Sequence, residues 1–356
     1  MTEVLVGTKK GLFVLEGEPG SEFEVKARAF AGLPVEYAMR DPRSGRLLAS
    51  VTNAFYGPKI FYTDADPNGE WEQAQGVALP EGGDEALERI WTIVAGEDDQ
   101  TVYAGGDPGV LFESRDGGLN WELNRSLWEH PTRPDWTPGG GGLCLHSIVP
   151  WPGDPDKLTL GLSAVGIWLT DDGGKTWRHG NRGIRPRYLP DDAPEDTIQL
   201  CIHNVHRAPK RPERLFMQFH GGVFRSDDAG ENWTSIADGL PSDFGFPLVV
   251  DPDDPDSAYV IPLVADMDRV TPEGRVRVYE TRDAGASWTP RGDGLPSEHA
   301  YLTVLRQAFG RAGGGDQLEL YFGATSGEVF GSGDAGATWF TAASHLPPVF
   351  SVRTSG

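Results

Sequence analysis

The sequence predicts an all-β chain folded as a seven-bladed β-propeller, with six blades as the alternative. Three observations carry this. Five segments repeat one pattern, Ser/Thr-x-Asp-Gly/Ala-Gly-x-x-Trp, ending at Trp121, Trp177, Trp233, Trp288 and Trp339. With a degenerate sixth copy ending at Trp71, the tryptophans are spaced by 50, 56, 56, 55 and 51 residues. A period near fifty, rich in glycine and poor in helical signals, belongs to a ring of small sheets. The second observation is an orphan strand at each end of the chain. The third is composition: 47 Gly and 28 Pro among 356 residues, with 38% hydrophobic content, suit many short strands and turns.

Each element follows from local chemistry. The polar stretch between Asp116 and Trp121, and its four counterparts, reads as a hairpin turn. Its Asp accepts turn N–H groups, its Gly takes positive φ, and its Ser or Thr hydroxyl assists. The Trp then returns into a strand and buries a large ring. A calcium loop needs a ligand-rich twelve-residue segment that is absent here. Innermost strands are expected at 35–40, 90–95, 143–149, 198–205, 246–250, 300–305 and 348–352. The stretch from Glu3 to Leu15 matches the second and third strands of a blade whose innermost strand is missing locally. Strand 348–353 supplies it, so the expectation is one propeller over 1–356, with no open edge.

These repeats resemble those of the BNR/Asp-box proteins, over almost the whole chain. That family includes sialidases, xyloglucanases, sortilin-type receptors and a photosystem II assembly factor. The resemblance implies that the boxes are folding elements, remote from any active site. The runs Pro138–His146 and His220–Asp228 further resemble signal-less bacterial members labelled sialidase or glycosyl hydrolase by repeat alone. No established substrate is implied. A sialidase would need an arginine triad, a Tyr–Glu pair and an Asp. The family's early Arg-Ile-Pro motif is missing, and nothing in the spacing of Arg40, Arg89, Arg185 and Arg187 selects a triad.

A net charge of −22 argues against a nucleic-acid surface, which would want a basic face, and against anionic membranes. There is no apolar run of about twenty residues and no signal-like start, and the two cysteines make no disulfide framework. These features point to a cytoplasmic protein.

The site is expected on the rim opposite the boxes. Long loops, 73–89, 124–142 and 178–197, lead into the third, fourth and fifth blades, while those into the second, sixth and seventh are short and carry Gly-Leu-Pro. Long loops on a rigid scaffold concentrate function. Trp128, His130, Arg133 and Trp136 suit stacking on a sugar or another flat ligand; the alternative is that the tryptophans pack the loop onto its blade. Arg185, Arg187 and Tyr188, followed by carboxylates at 191–196, suit an anionic ligand and an acid or base.

Cys144-x-His146 and Cys201-x-His203 occupy equivalent places on neighbouring innermost strands. They point into different inter-blade gaps, which disfavours a Cys₂His₂ zinc site. His146, His203 and His220 are candidates to meet at the channel mouth and bind a divalent metal or ligand, with His299 near the same rim. The alternative is hydrogen-bonded structural histidines. The residues leave two functions open: a non-catalytic propeller binding a carbohydrate, an anionic small molecule or a protein partner, and a carbohydrate-active hydrolase or lyase.

Overall fold

The computed structural model describes residues 1–64, 66–185 and 197–355. They form seven four-stranded antiparallel sheets and almost no helix. The seventh sheet excludes the six-bladed alternative. Blade 1 joins both ends of the chain: Val349–Thr354 lies innermost, against Thr2–Thr8, followed by Gly11–Gly17 and Glu24–Ala29. Blades 2 to 6 begin with innermost strands Val35–Arg40, Arg89–Ala95, Leu145–Trp151, Ile202–Arg207 and Gly245–Val250. No helix among the described residues is long and apolar enough to cross a membrane.

Blade 7 corrects the sequence reading. Its innermost strand is Phe309–Ala312, not 300–305. The apolar stretch 300–305 instead hydrogen-bonds to the connection 263–277 inside blade 6. Thr271 N donates to Leu302 O at 3.0 Å, and Ala300 N donates to Gly274 O at 2.9 Å. The loop into blade 7 is therefore long, from Arg291 to Phe309.

The five repeated turns share one geometry. In blade 3, the Ser114 hydroxyl donates to Asp116 Oδ1 at 2.8 Å and accepts from Gly118 N at 2.9 Å. Asp116 Oδ1 also accepts from Leu119 N and Asn120 N. Gly118 has φ 94°, a conformation that disfavours any side chain. The closing tryptophans are buried, and three reach the segment that follows the preceding blade's outer strand: Trp177 Nε1 donates to Ser126 Oγ at 3.0 Å, Trp233 Nε1 to Gly180 O at 2.9 Å, and Trp288 Nε1 to Ile236 O at 2.6 Å. The cores lie between neighbouring sheets, as in the cluster that joins Ile167 and Leu169 to Leu215, Met217 and Trp233.

Six innermost strands carry a β-bulge near their mouth end. Registers skip one residue at Glu36, Trp91, His146, His203 and Phe350, and between Gly245 and Leu248. A bulge leaves one residue outside the ladder and re-aims its side chain.

Candidate functional site

Four of these bulge positions, Glu36, Trp91, Phe246 and Phe350, line a cavity of about 190 Å³. It shares Gly141, Phe246, Arg269 and Arg306 with an adjoining open cleft of about 550 Å³. The cleft is bounded by 137–142 before blade 4, Gln199 and Cys201 before blade 5, and Asp266, Met267 and Arg269 in the blade 6 connection. Every one of these segments either leads into an innermost strand or joins a second strand to a third. The cleft thus lies on the face opposite the repeated turns.

Arg306 sits on the long loop into blade 7 and is 8% exposed. Its guanidinium lies over the Trp91 ring at 5.0 Å and the Phe246 ring at 5.5 Å. Among the described residues its Nε is buried without a hydrogen-bond partner, as is Trp91 Nε1. Burial depresses its pKa, and the largest influences favouring its charge are the thiols of Cys144 and Cys201 rather than carboxylates. A guanidinium nonetheless stays charged at neutral pH. Arg269 and Arg89 stand nearby; Arg89 Nε is 3.4 Å from Glu36 Oε1. Burial raises the Glu36 pKa, with Arg89 opposing. Three arginines thus meet at the mouth of a chain of net charge −22, one of them beside Glu36.

The histidines divide. His146 is buried, with Nε2 2.9 Å from Ile202 O and Nδ1 3.0 Å from Ser147 Oγ. Both ring nitrogens are hydrogen-bonded within the fold, and His146 does not join the group that Cys201, His203 and His220 form among the described residues. His203 is also buried. Its Nδ1 donates to Gly245 O at 2.6 Å, and burial, reinforced by Arg306, holds its pKa well below the ordinary range. His220 packs edge-on to it at 5.4 Å and is 3.4 Å from Asp266 Oδ1. Cys201 joins this pair. One ligand atom from each of Cys201, His203 and His220 lies within 4.8 Å of the others. Burial pushes the Cys201 thiol pKa up, and Arg306 pulls it the other way. Cys144 stands apart, bonded to Asp107 and Gly141 O, so the two Cys-x-His pairs do not converge. His299 is exposed and outside the cleft lining.

The loop 124–142 gathers Trp128, His130, Arg133 and Trp136 around a separate depression of about 490 Å³. The Arg133 guanidinium covers the Trp128 ring at 3.8 Å and donates to Pro108 O and Gly109 O. Trp136 and His130 pack on Trp168. These contacts tie the loop to Trp168 of blade 4, while Trp128 packs on the core between blades 2 and 3. Arg185 is exposed; Arg187 and Tyr188 lie outside the described residues.

Sequence reasoning missed Arg306, Arg269, Glu36, Trp91 and Phe246. A signal existed for Arg306, a lone charge closing the apolar run 301–305. Another was the aliphatic residue preceding each of Glu36, Trp91, His146, His203 and Phe350.

No family model matches the sequence, and no curated protein matches it. Solved structures do. An ancestral GH74 enzyme aligns over 95% of this chain with a TM-score of 0.59 and 14% identity. A GH74 enzyme of Niastella koreensis aligns over 98% at 0.55 and 14% identity. This chain spans 39% and 65% of those two chains. YCF48 from Cyanidioschyzon merolae aligns over 88% of this chain and 85% of its own, at 0.54 and 14% identity. At this identity the likeness is one of fold: the chain is a seven-bladed β-propeller similar in architecture to these proteins.

Proposed function

We propose that this propeller binds a small anionic molecule, of the sugar-acid or related carboxylate class, in the cleft at the channel mouth. The carrying observation is Arg306, a buried cation beside the cleft that no carboxylate of the described fold neutralises. Such a charge is costly unless something pairs with it. Arg269 adds a second cation on the cleft wall, its guanidinium held over the Phe246 ring at 5.5 Å. The repeated turns are Asp-boxes in this reading; their shared hydrogen-bond pattern supports it, and they serve the scaffold. Calorimetric titration with glucuronate and with glucose tests the proposal. Glucuronate binds, glucose binds at least tenfold more weakly, and Arg306→Met abolishes the difference. Equal binding of both sugars to the wild type, or an unchanged preference in Arg306→Met, refutes it.

A second reading, a carbohydrate-active enzyme, is favoured by Glu36. Its buried carboxyl has a raised pKa and lines the adjoining cavity, which suits a proton donor. The GH74 neighbours share the scaffold. Glu36→Gln then leaves glucuronate binding intact while abolishing turnover of glucuronides; turnover that survives this change rules Glu36 out.

A further inference from the structure

We infer that Cys201, His203 and His220 form a three-ligand site for a zinc-class divalent metal, with its fourth position open to the cleft. The strongest argument is the asymmetry of His203. A carbonyl can only accept, so the 2.6 Å bond to Gly245 O fixes the proton on Nδ1. The Nε2 lone pair of the neutral ring is then presented as a ligand. A backbone carbonyl holding the far nitrogen is the usual second shell of a metal-binding imidazole. His220 has the analogous carboxylate, Asp266, 3.4 Å from its Nε2.

The geometry is within reach. Tetrahedral zinc with Zn–S of about 2.3 Å and Zn–N of about 2.0 Å sets ligand atoms about 3.3 to 3.6 Å apart. The three ligand atoms here lie within 4.8 Å of one another. His203 is packed in place by Phe244 and Phe246, and Phe244 also packs edge-on against the half-buried His220, so the two imidazoles are held side by side next to the half-buried Cys201. A thiolate with two imidazoles selects zinc-class ions over magnesium or calcium, which take oxygen ligands. Three protein ligands with an open position describe a catalytic or ligand-binding metal centre rather than a structural one.

The surroundings add a second consequence, which rests on the anion reading. A divalent ion with one thiolate leaves net charge +1 close to Arg306 and Arg269. An anion in the cleft relieves both repulsions, so metal and anion tighten each other's binding by the same factor.

The test is a titration of the purified chain, freed of metal by chelation, with Co²⁺ in a buffer without carboxylate or phosphate. One equivalent per chain should raise a cobalt–thiolate charge-transfer band, and Zn²⁺ should displace it. The band should vanish in Cys201→Ser and persist in Cys144→Ser, and His220→Asn should lose stoichiometric binding. Melting curves establish that each variant is folded. Absence of the band in the folded wild type, or its survival in Cys201→Ser, overturns the metal site. Repeating the titration with glucuronate separates the two claims. Tighter Co²⁺ binding supports the coupling. Unchanged Co²⁺ affinity overturns the coupling and leaves the metal site standing.

Discussion

Replacing Arg306 by Met should make the protein more stable and deprive it of its anion. An ion buried without a counter-charge carries an effective penalty of several kcal/mol. The two ring contacts, at 5.0 and 5.5 Å, return about 1 kcal/mol each. Met keeps most of the apolar stem and removes the charge, so the net gain should be about 1–3 kcal/mol. Unfolding entropy scales with length, and for 356 residues it amounts to about 0.75 kcal/mol per kelvin. The melting temperature should therefore rise by about 1–4 °C. Scanning calorimetry measures this directly. Glucuronate at a hundred times its dissociation constant should stabilise the wild type by about 2.7 kcal/mol and leave the variant unmoved. A melting temperature that falls in Arg306→Met would show that the fold itself satisfies this guanidinium, and the anion argument would collapse with it.

Three further outcomes follow from the scaffold. Deleting residues 347–356 removes the innermost strand of blade 1 and should lower the melting temperature markedly; a truncated chain that melts like the full one would mean that pairing with Thr2–Thr8 contributes little. Trp233→Ala should cost about 3–5 kcal/mol in urea unfolding, since the ring is 4% exposed and spans two blades, whereas a cost under about 1 kcal/mol would contradict that packing. His146 is held neutral by burial, so the unfolded chain binds the extra proton and stability declines as pH falls below about 6.5, by up to about 1.4 kcal/mol per unit. Since burial also depresses His203 and His206, His146→Gln should make the slope between pH 6.5 and 5 shallower rather than remove it, as read from urea midpoints; an unaltered slope assigns it to other groups.

The repeated turns were legible because their bonds are local. Asp116 reaches only three and four residues ahead, so the pattern survives in the linear text. Ring closure was legible because each terminus lacked a partner strand. The innermost strand of blade 7 was not. Residues 300–305 are apolar enough for a strand, but their backbone partners, such as Thr271, come from an insertion about thirty residues earlier. The same insertion carries Arg269 and Asp266 into the cleft. The histidines were half legible. His146 and His203 do occupy equivalent bulges, as their Cys-x-His settings suggest. Whether a ring nitrogen meets a carbonyl or faces a cysteine depends on the neighbouring blade, which sequence equivalence does not encode.

The six bulges have a consequence for how such a molecule changes over time. In a regular strand each side chain serves two faces of a packed sheet, so its identity is constrained on both. The extra residue at a bulge belongs to neither face. Each of six blades thus offers one position whose substitution leaves the ladder's register untouched, and these positions meet around a common axis. Glu36, Trp91, His146, His203, Phe246 and Phe350 are an acid, three aromatics and two imidazoles on nearly interchangeable supports. Where the bulged side chain faces the mouth, as at Glu36, Trp91, Phe246 and Phe350, point mutations can rewrite what is recognised while the ladder is kept; at His146 and His203 the same residue also ties one blade to the next.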